Sequence, residues 1–323
     1  MTIRTFFISC LSLGCITSFS QKSTYKTYGD KKGIVYDLCF SKGGSWMVVP
    51  ESTIVMVYDL KTDQVIYKLE GAHRKSILAV DLSSDSSLLV TGGRDSLVVL
   101  WDMKTQKALK TLQNHQGSVT GVKFSPDQRY VVTGSTDGIS RVYNLSSQTM
   151  ETQFGGQSKA ITTVAFSKDN GLLAYAGADK TIALISTATW KPISILTGHK
   201  DWIREIVFSS DSKRLLSCDD AGKIIIWEIS DPAKPNIYYE FRQGYKWLLS
   251  IDLHTDGNTF VSGGLSGQIS IDLPPSSYKY KLSNVLHKVR FLPNTGSNLI
   301  VAAATRGKGV ILMNSRNMHF KTR

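Results

Sequence analysis

The apolar and polar positions of this chain alternate in short runs separated by turn residues, and no long 3.6-residue period runs through them. One run recurs from end to end: an apolar β stretch closing on Phe or Leu, usually followed by Ser and a turn. It reads VYDLCFSK from Val35, ILAVDLSSD from Ile77, VTGVKFSPD from Val119, ITTVAFSKD from Ile161, IREIVFSSD from Ile203, LLSIDLHTD from Leu248 and LHKVRFLPN from Leu286. The closing residues Phe40, Leu82, Phe124, Phe166, Phe208, Leu253 and Phe291 are spaced by 42, 42, 42, 42, 45 and 38 residues. Nearly equal steps of this length mark a repeat architecture. In the third repeat the pattern predicts an inner strand VTGVKF, a turn at Ser125-Pro126-Asp127 and a second strand Tyr130–Gly134. A tight turn at Asp137-Gly138, a third strand Ile139–Asn144 and an outer strand Met150–Phe154 follow. The inner strands are almost continuously apolar, as strands covered on both faces must be. The absence of helical periodicity excludes a parallel α/β enzyme fold. The expectation is an all-β, seven-bladed β-propeller. Tyr25–Gly29 precedes Val35 by the same count as Tyr67–Gly71 precedes Ile77. The N-terminal segment is therefore expected to pair into the last blade, built from residues 286 to 314, and close the ring. The tail Asn317 to Arg323 is a competitor for the same edge.

Ala72-His73, Thr91-Gly92-Gly93-Arg94-Asp95 and Trp101-Asp102 together resemble a complete WD40 repeat; Gly198-His199 with Trp227-Glu228 is a weaker copy. The resemblance covers residues 24 to about 316. It implies a hydrogen-bonded network inside each blade, here His73, Thr91, Asp95 and Trp101. Buried polar side chains need such partners, and a relay of this kind ties three strands together. In repeat three the members are His115, Thr133 and Asp137, with Tyr143 in the Trp position. Repeat five keeps His199, Ser217 and Trp227, but Ala221 stands where the Asp is expected and Asp220 is displaced by one. Repeat four keeps Asp179 alone, and repeats one, six and seven have little of the network. The family resemblance implies a protein-interaction scaffold, not an enzyme.

Composition agrees with a packed domain: 41% of residues are hydrophobic, 20% charged and 10% aromatic. The N-terminus changes the picture. Arg4 is followed by a charge-free run from Thr5 to Ser20, too short and Ser-rich for a membrane span. It reads as a cleaved signal peptide over residues 1–20, with Ser18-Phe19-Ser20 as the small-x-small site and 21–323 as one propeller domain. A lipidated Cys15 is the alternative. Either way the chain is expected to be exported, to a periplasm or to an outer membrane. Cys39 and Cys218 belong to repeats one and five, and two buried thiols with neither a disulfide nor a metal site are expected. The formal charge is +12, which favours acidic partners.

No motif for catalysis is present. The histidines His73, His115, His199, His254, His287 and His319 show no metal-ligand spacing, and three of them hold the structural position above. No phosphate loop, HExxH pair or GxSxG elbow occurs, and no cofactor is expected. Gly92-Gly93 and Gly263-Gly264 fall at strand ends, where the backbone must turn. Asp85, Asp127, Asp169 and Asp211 are read as hairpin caps. Counting back from each inner strand aligns the loops that lead into it. They carry Lys32, Arg74, Lys75, Lys159, Lys200 and Lys246, with Trp202, Trp247 and Tyr245 close together on blades five and six. The turn between second and third strands opens on the same face in the WD40 family, which adds Arg94. Two readings stay open: solvated lysines with each Trp covering a blade edge, or a face that holds an acidic, partly apolar peptide on aromatic anchors. The function expected is a non-catalytic interaction scaffold of a bacterial cell-envelope assembly. The alternatives are a polyanion or anionic-surface binder, with nucleic acid disfavoured by export, and an enzyme whose site is spread over several blades. Membrane contact is expected only through a partner or through a lipid on Cys15.

Overall fold

The computed structural model describes residues 25–29, 32–155, 159–273, 276–295 and 299–314. The expected signal peptide with Cys10 and Cys15, and the tail Asn317 to Arg323, lie outside the described residues. Seven four-stranded antiparallel sheets form the molecule, and the described residues include no helix. In blade three the strands are Val119–Phe124, Tyr130–Ser135, Ile139–Asn144 and Thr149–Gly155, within a residue of the reading from sequence. Apolar clusters lie between neighbouring blades. One joins Ala174, Leu184 and Leu196 of blade four to Ile203, Leu215 and Trp227 of blade five. The N-terminal strand Lys26–Tyr28 pairs antiparallel with Val310–Asn314, with Lys26 opposite Leu312 and Tyr28 opposite Val310. The ring closes as expected, on three residues. Tyr28 fixes them: its ring meets Tyr58 edge-on at 5.4 Å and its hydroxyl donates to Asp63. Tyr28→Ala is expected to cost about 3 kcal/mol or more, the usual loss for a truncated core aromatic, read as a lower denaturant midpoint.

The innermost strand of blade one departs from expectation. It spans only Cys39–Phe40 instead of starting at Val35. The Val35 N–H turns instead to Thr305 O of blade seven at 3.2 Å, and the Leu38 N–H donates to Asp37 Oδ1 at 2.9 Å.

The hairpin caps are repeated in four blades. Ser83, Ser125, Ser167 and Ser209 each donate Oγ–H to the Asp two residues on, at 2.6 Å. The same carboxylates then accept from the backbone of Ser87, Arg129, Gly171 and Lys213. The paired glycines have a different cause from the one expected. A Cβ on Gly92 would lie 2.5 Å from a Val119 methyl, and one on Gly263 would lie 2.9 Å from a Val289 methyl. The next blade approaches too closely for any side chain, and neither position has the positive φ of a turn residue.

In blade two the network is complete. Thr91 Oγ1 meets His73 Nε2 at 2.8 Å and accepts from Trp101 Nε1 at 3.0 Å, and His73 Nδ1 lies 3.1 Å from Asp95. Blade three keeps His115 to Thr133 at 2.7 Å and to Asp137 at 3.0 Å. Tyr143 lacks the indole N–H and leaves its buried hydroxyl without a partner, and buried Arg141 instead donates to Asp137 at 2.9 Å. Blade five corrects the sequence reading. The acid is neither Asp220 nor a residue at position 221 but Asp219, whose Oδ2 lies 2.8 Å from His199 Nδ1. Asp219 is aligned with Gly93 of blade two. A Cβ built on Gly93 points at the Asp95 carboxylate, 2.3 Å from Oδ1, so a side chain starting there delivers its carboxylate to the same spot. Blade six has its own version: Gln243 Nε2 donates to Asp272 at 2.9 Å and to Ser262 at 3.3 Å.

These networks respond to acid. Burial holds His73 and His115 below the ordinary imidazole value. The unfolded chain therefore takes up protons below about pH 6.5 that the folded chain refuses, and stability falls with pH from there. Burial opposes the Asp137 carboxylate, yet N–H groups of Gln116, His115 and Arg141 bring it to about 2. A second loss follows between roughly pH 4 and 2. Thermal unfolding across this range should show both steps; a flat profile from pH 7 to 5 would contradict the first.

Candidate functional site

Backbone hydrogen bonds place the sequence-predicted loops on one face. In blade after blade the turn between second and third strands donates to the carbonyl just before the innermost strand: Arg94 to Ser76 at 2.8 Å, Thr136 to Ser118 at 2.9 Å, Ala178 to Ala160 at 2.9 Å, and Arg306 to Val285 at 3.1 Å. Lys32, Arg74, Lys75, Arg94, Lys159, Lys200 and Lys246 are all exposed there.

Blades five and six give this face an apolar sector. Asp220 N–H donates to the Trp202 carbonyl at 3.1 Å, Trp247 N–H donates to the Asp220 carbonyl at 2.7 Å, and Leu265 N–H donates to the Trp247 carbonyl at 3.0 Å. One chain of backbone bonds thus sets Trp202, Trp247 and Leu265 side by side, with 42%, 50% and 40% of their surfaces exposed. The Trp202 indole lies 5.1 Å under the Arg204 guanidinium, which donates Nε to Asp220 at 2.7 Å. Trp247 has a φ of 60°, unlike its counterparts at the other lead-in positions. A bulky residue there costs on the order of 1 kcal/mol or more, a strain that persists only where the surroundings impose it. Tyr245 does not join the two tryptophans. Its ring packs on the cluster of Leu216, Leu248 and Phe260, with its hydroxyl buried. Leu265 is the member the sequence reading missed; an apolar residue in an otherwise polar turn was its signal.

A central cavity of about 580 Å³ runs along the inner strands. Its charged wall was also missed, although charges inside apolar inner strands announce it. Lys288 bridges Asp37 at 3.2 Å and Glu205 at 2.7 Å, Arg290 reaches Glu205, and Lys123 meets Asp81 at 2.6 Å. Each acid also accepts a backbone N–H of the next blade: Asp37 from Val80, Asp81 from Phe124, Glu205 from Ile251 and Asp252 from Phe291. Burial opposes the Glu205 carboxylate, but Arg290 and Lys288 bring it to about 2; at Asp252 burial outweighs the charge of Arg290 and pushes the carboxyl up. These carboxylates clasp neighbouring blades together. Cys39 and Cys218 are free and buried on separate blades, and burial pushes both thiols well up. Among the described residues no group of His, Cys, Asp or Glu could hold a metal ion.

The architecture is that of a repeat propeller with polar relays inside its blades. Comparison with known proteins gives the family. The model of the WD40 family (WD domain, G-beta repeat) matches residues 63–102, 106–144, 148–186 and 190–228, four consecutive repeats, and the chain belongs to the WD40-repeat family. It is 30% identical over 80 residues to the intraflagellar transport protein 122 homolog of Danio rerio, covering 25% of this chain and 7% of that protein. It is 32% identical over 81 residues to the guanine nucleotide-binding protein subunit beta of Saccharomyces cerevisiae, covering 25% and 18%. With the WD repeat and SOCS box-containing protein 1 of Takifugu rubripes it shares 38% over 76 residues, covering 23% and 18%. The matched segments span less than a fifth of each of these relatives. WD40 propellers act generally as protein-interaction scaffolds and are typically non-catalytic.

Proposed function

We propose that the chain is a non-catalytic scaffold whose basic, Trp-bearing loop face receives a protein partner through an acidic, partly apolar segment. The observation that carries this reading is the pair of half-exposed indoles, one stacked under Arg204 and the other in strained backbone, joined through Asp220. Preformed aromatic anchors lose little conformational freedom on binding, which is what a hot spot needs. The lysines around them would speed association and select the sign of the partner. The yeast relative is by its name a subunit of a larger protein, in keeping with a scaffold role. The setting we propose is a bacterial cell-envelope assembly, reached by export on residues 1–20, with Cys15 as the lipidated alternative. Purification from the envelope fraction with mass determination of the mature N-terminus tests both parts. Mass beginning at Gln21 and co-purification of an acidic partner are expected; an uncleaved Met1 in the cytosol would remove the envelope setting. Salt separates this reading from simple polyanion binding. A polyanion binder loses affinity steeply as salt rises, whereas capture on the tryptophans should fall only mildly.

A further inference from the structure

The outermost strand of each blade has one edge with no strand beside it among the described residues, and five blades guard that edge in the same way. Between the third and outer strands of blades one to five the register slips by one residue. Ile66, Leu109, Glu151, Ile193 and Tyr238 are thereby left unmatched in the ladder. Such a bulge breaks the straight row of outward N–H and C=O groups and twists the edge away from a strand that would join it. In blade seven the outer strand is only the three residues Lys26–Tyr28. Blade six has neither guard. Its outer strand Ser276–Lys281 pairs with Gln268–Leu273 through six consecutive residues without a shift. The cause lies in the sequence. This repeat takes 38 residues instead of 42, and only two separate Leu273 from its partner Ser276, against four between Asn144 and Thr149 of blade three.

Leu282 N–H donates inward to Gly267 O at 2.8 Å. Antiparallel pairing alternates, so Tyr280 and Tyr278 bond inward, and the backbone groups of Lys281, Lys279 and Ser277 face outward. Side chains alternate as well. Tyr278 and Tyr280 pack on the cluster of Ile271, Leu286 and Val289 between blades six and seven, while Lys279 and Lys281 are exposed on the opposite face. Asp272, the acid on that face, is buried and already accepts from Gln243 at 2.9 Å.

We infer that this edge is a docking site for an extended acidic segment of a protein partner, which adds to blade six as a fifth strand. Ser277, Lys279 and Lys281 supply the main-chain bonds. Acids two residues apart stand opposite Lys279 and Lys281, and an apolar residue between them lies on the tyrosine face. A second copy of the chain is refused. Its fullest antiparallel register sets Lys279 against Lys279, and like charges directly opposite destabilise a pair. The site lies on the outer side of the ring and stands whether or not Trp202 and Trp247 anchor a partner.

The test uses the full chain and three acetylated, amidated hexapeptides: Thr-Glu-Val-Glu-Val-Thr, its counterpart with lysine at both glutamates, and the acidic peptide N-methylated at both glutamates. Amide shifts and hydrogen exchange are followed by NMR. The acidic peptide is expected to bind weakly. At about ten times its Kd it should slow exchange of the Lys279 and Lys281 N–H groups roughly tenfold. The lysine peptide should bind about tenfold more weakly or worse. The N-methylated peptide keeps every charge but cannot form the strand, and should protect neither amide. Lys279→Glu with Lys281→Glu should reverse the preference between the acidic and lysine peptides. Lys107→Glu with Lys110→Glu, on the bulged outer strand of blade two, should leave it unchanged. Absent protection, or equal protection by the N-methylated peptide, would overturn the added strand. Preference of the wild type for the lysine peptide would overturn the acidic assignment. Protection of the same amides on concentrating the chain alone would give the edge to a second copy and overturn the partner.

Discussion

Replacing Trp202 and Trp247 together by alanine is expected to weaken partner binding at least about a hundredfold and to lower the unfolding temperature by only a few degrees. Two aromatic hot spots of roughly 2 kcal/mol each account for the first figure. The second follows from exposure. Both indoles keep about half their surface in water, so truncation forfeits part of a hydrophobic transfer and opens no closed cavity. Trp247→Gly should be the milder single change for stability, because glycine relieves the positive φ at that position. Binding is best followed by calorimetry against the purified partner, with thermal unfolding in parallel. Loss of stability equal to the loss of binding would make the tryptophans core residues and return the loop face to plain solvated lysines.

Asp219→Ala and Asp220→Ala, one residue apart, are expected to fail in different ways. Asp219 is fully buried and serves both His199 Nδ1 and the Lys223 N–H, each at 2.8 Å. Its removal leaves two buried groups unsatisfied and should cost about 3 kcal/mol, a drop of roughly 5–10 °C. Asp220 serves Arg204, which can turn to water when released, so its loss should cost nearer 1 kcal/mol. The unfastened Trp202 would then appear as weaker binding instead. Blade two offers the converse experiment. Asp95→Ala should destabilise it, and Gly93→Asp added to that change should recover at least half the loss, because the aligned position in blade five already works this way. No recovery would mean that alignment with Gly93 does not account for Asp219.

The repeat made the fold legible: an inner-strand pattern spaced by 42 residues fixes blade number, strand order and the closing partner before any coordinate is known. The face of the loops was legible for the same reason, since lead-in positions can be counted back from each strand. What stayed hidden depends on direction rather than on order along the chain. Ala221 read as a missing acid because alignment compares positions, whereas Asp219 reaches the same point from a different Cα. Tyr245 looked like a third anchor beside Trp247, yet its ring enters the apolar seam between blades five and six. The channel wall was written in the sequence as charges inside apolar strands. Their pairing across blades one, five and seven, through Asp37, Glu205 and Lys288, appears only once the ring is closed.

The strand Lys26–Tyr28 leaves the ribosome well ahead of its partner Val310–Asn314. At about 5–20 residues per second, the early segment waits tens of seconds for its match. During that interval the nascent chain is an open arc with an unguarded edge at each end, the condition in which strands pair with the wrong neighbour. Holdase protection should therefore matter most just before Val310–Asn314 emerges, and truncations that stop short of Val310 should be far more prone to aggregate than their lost length alone would suggest.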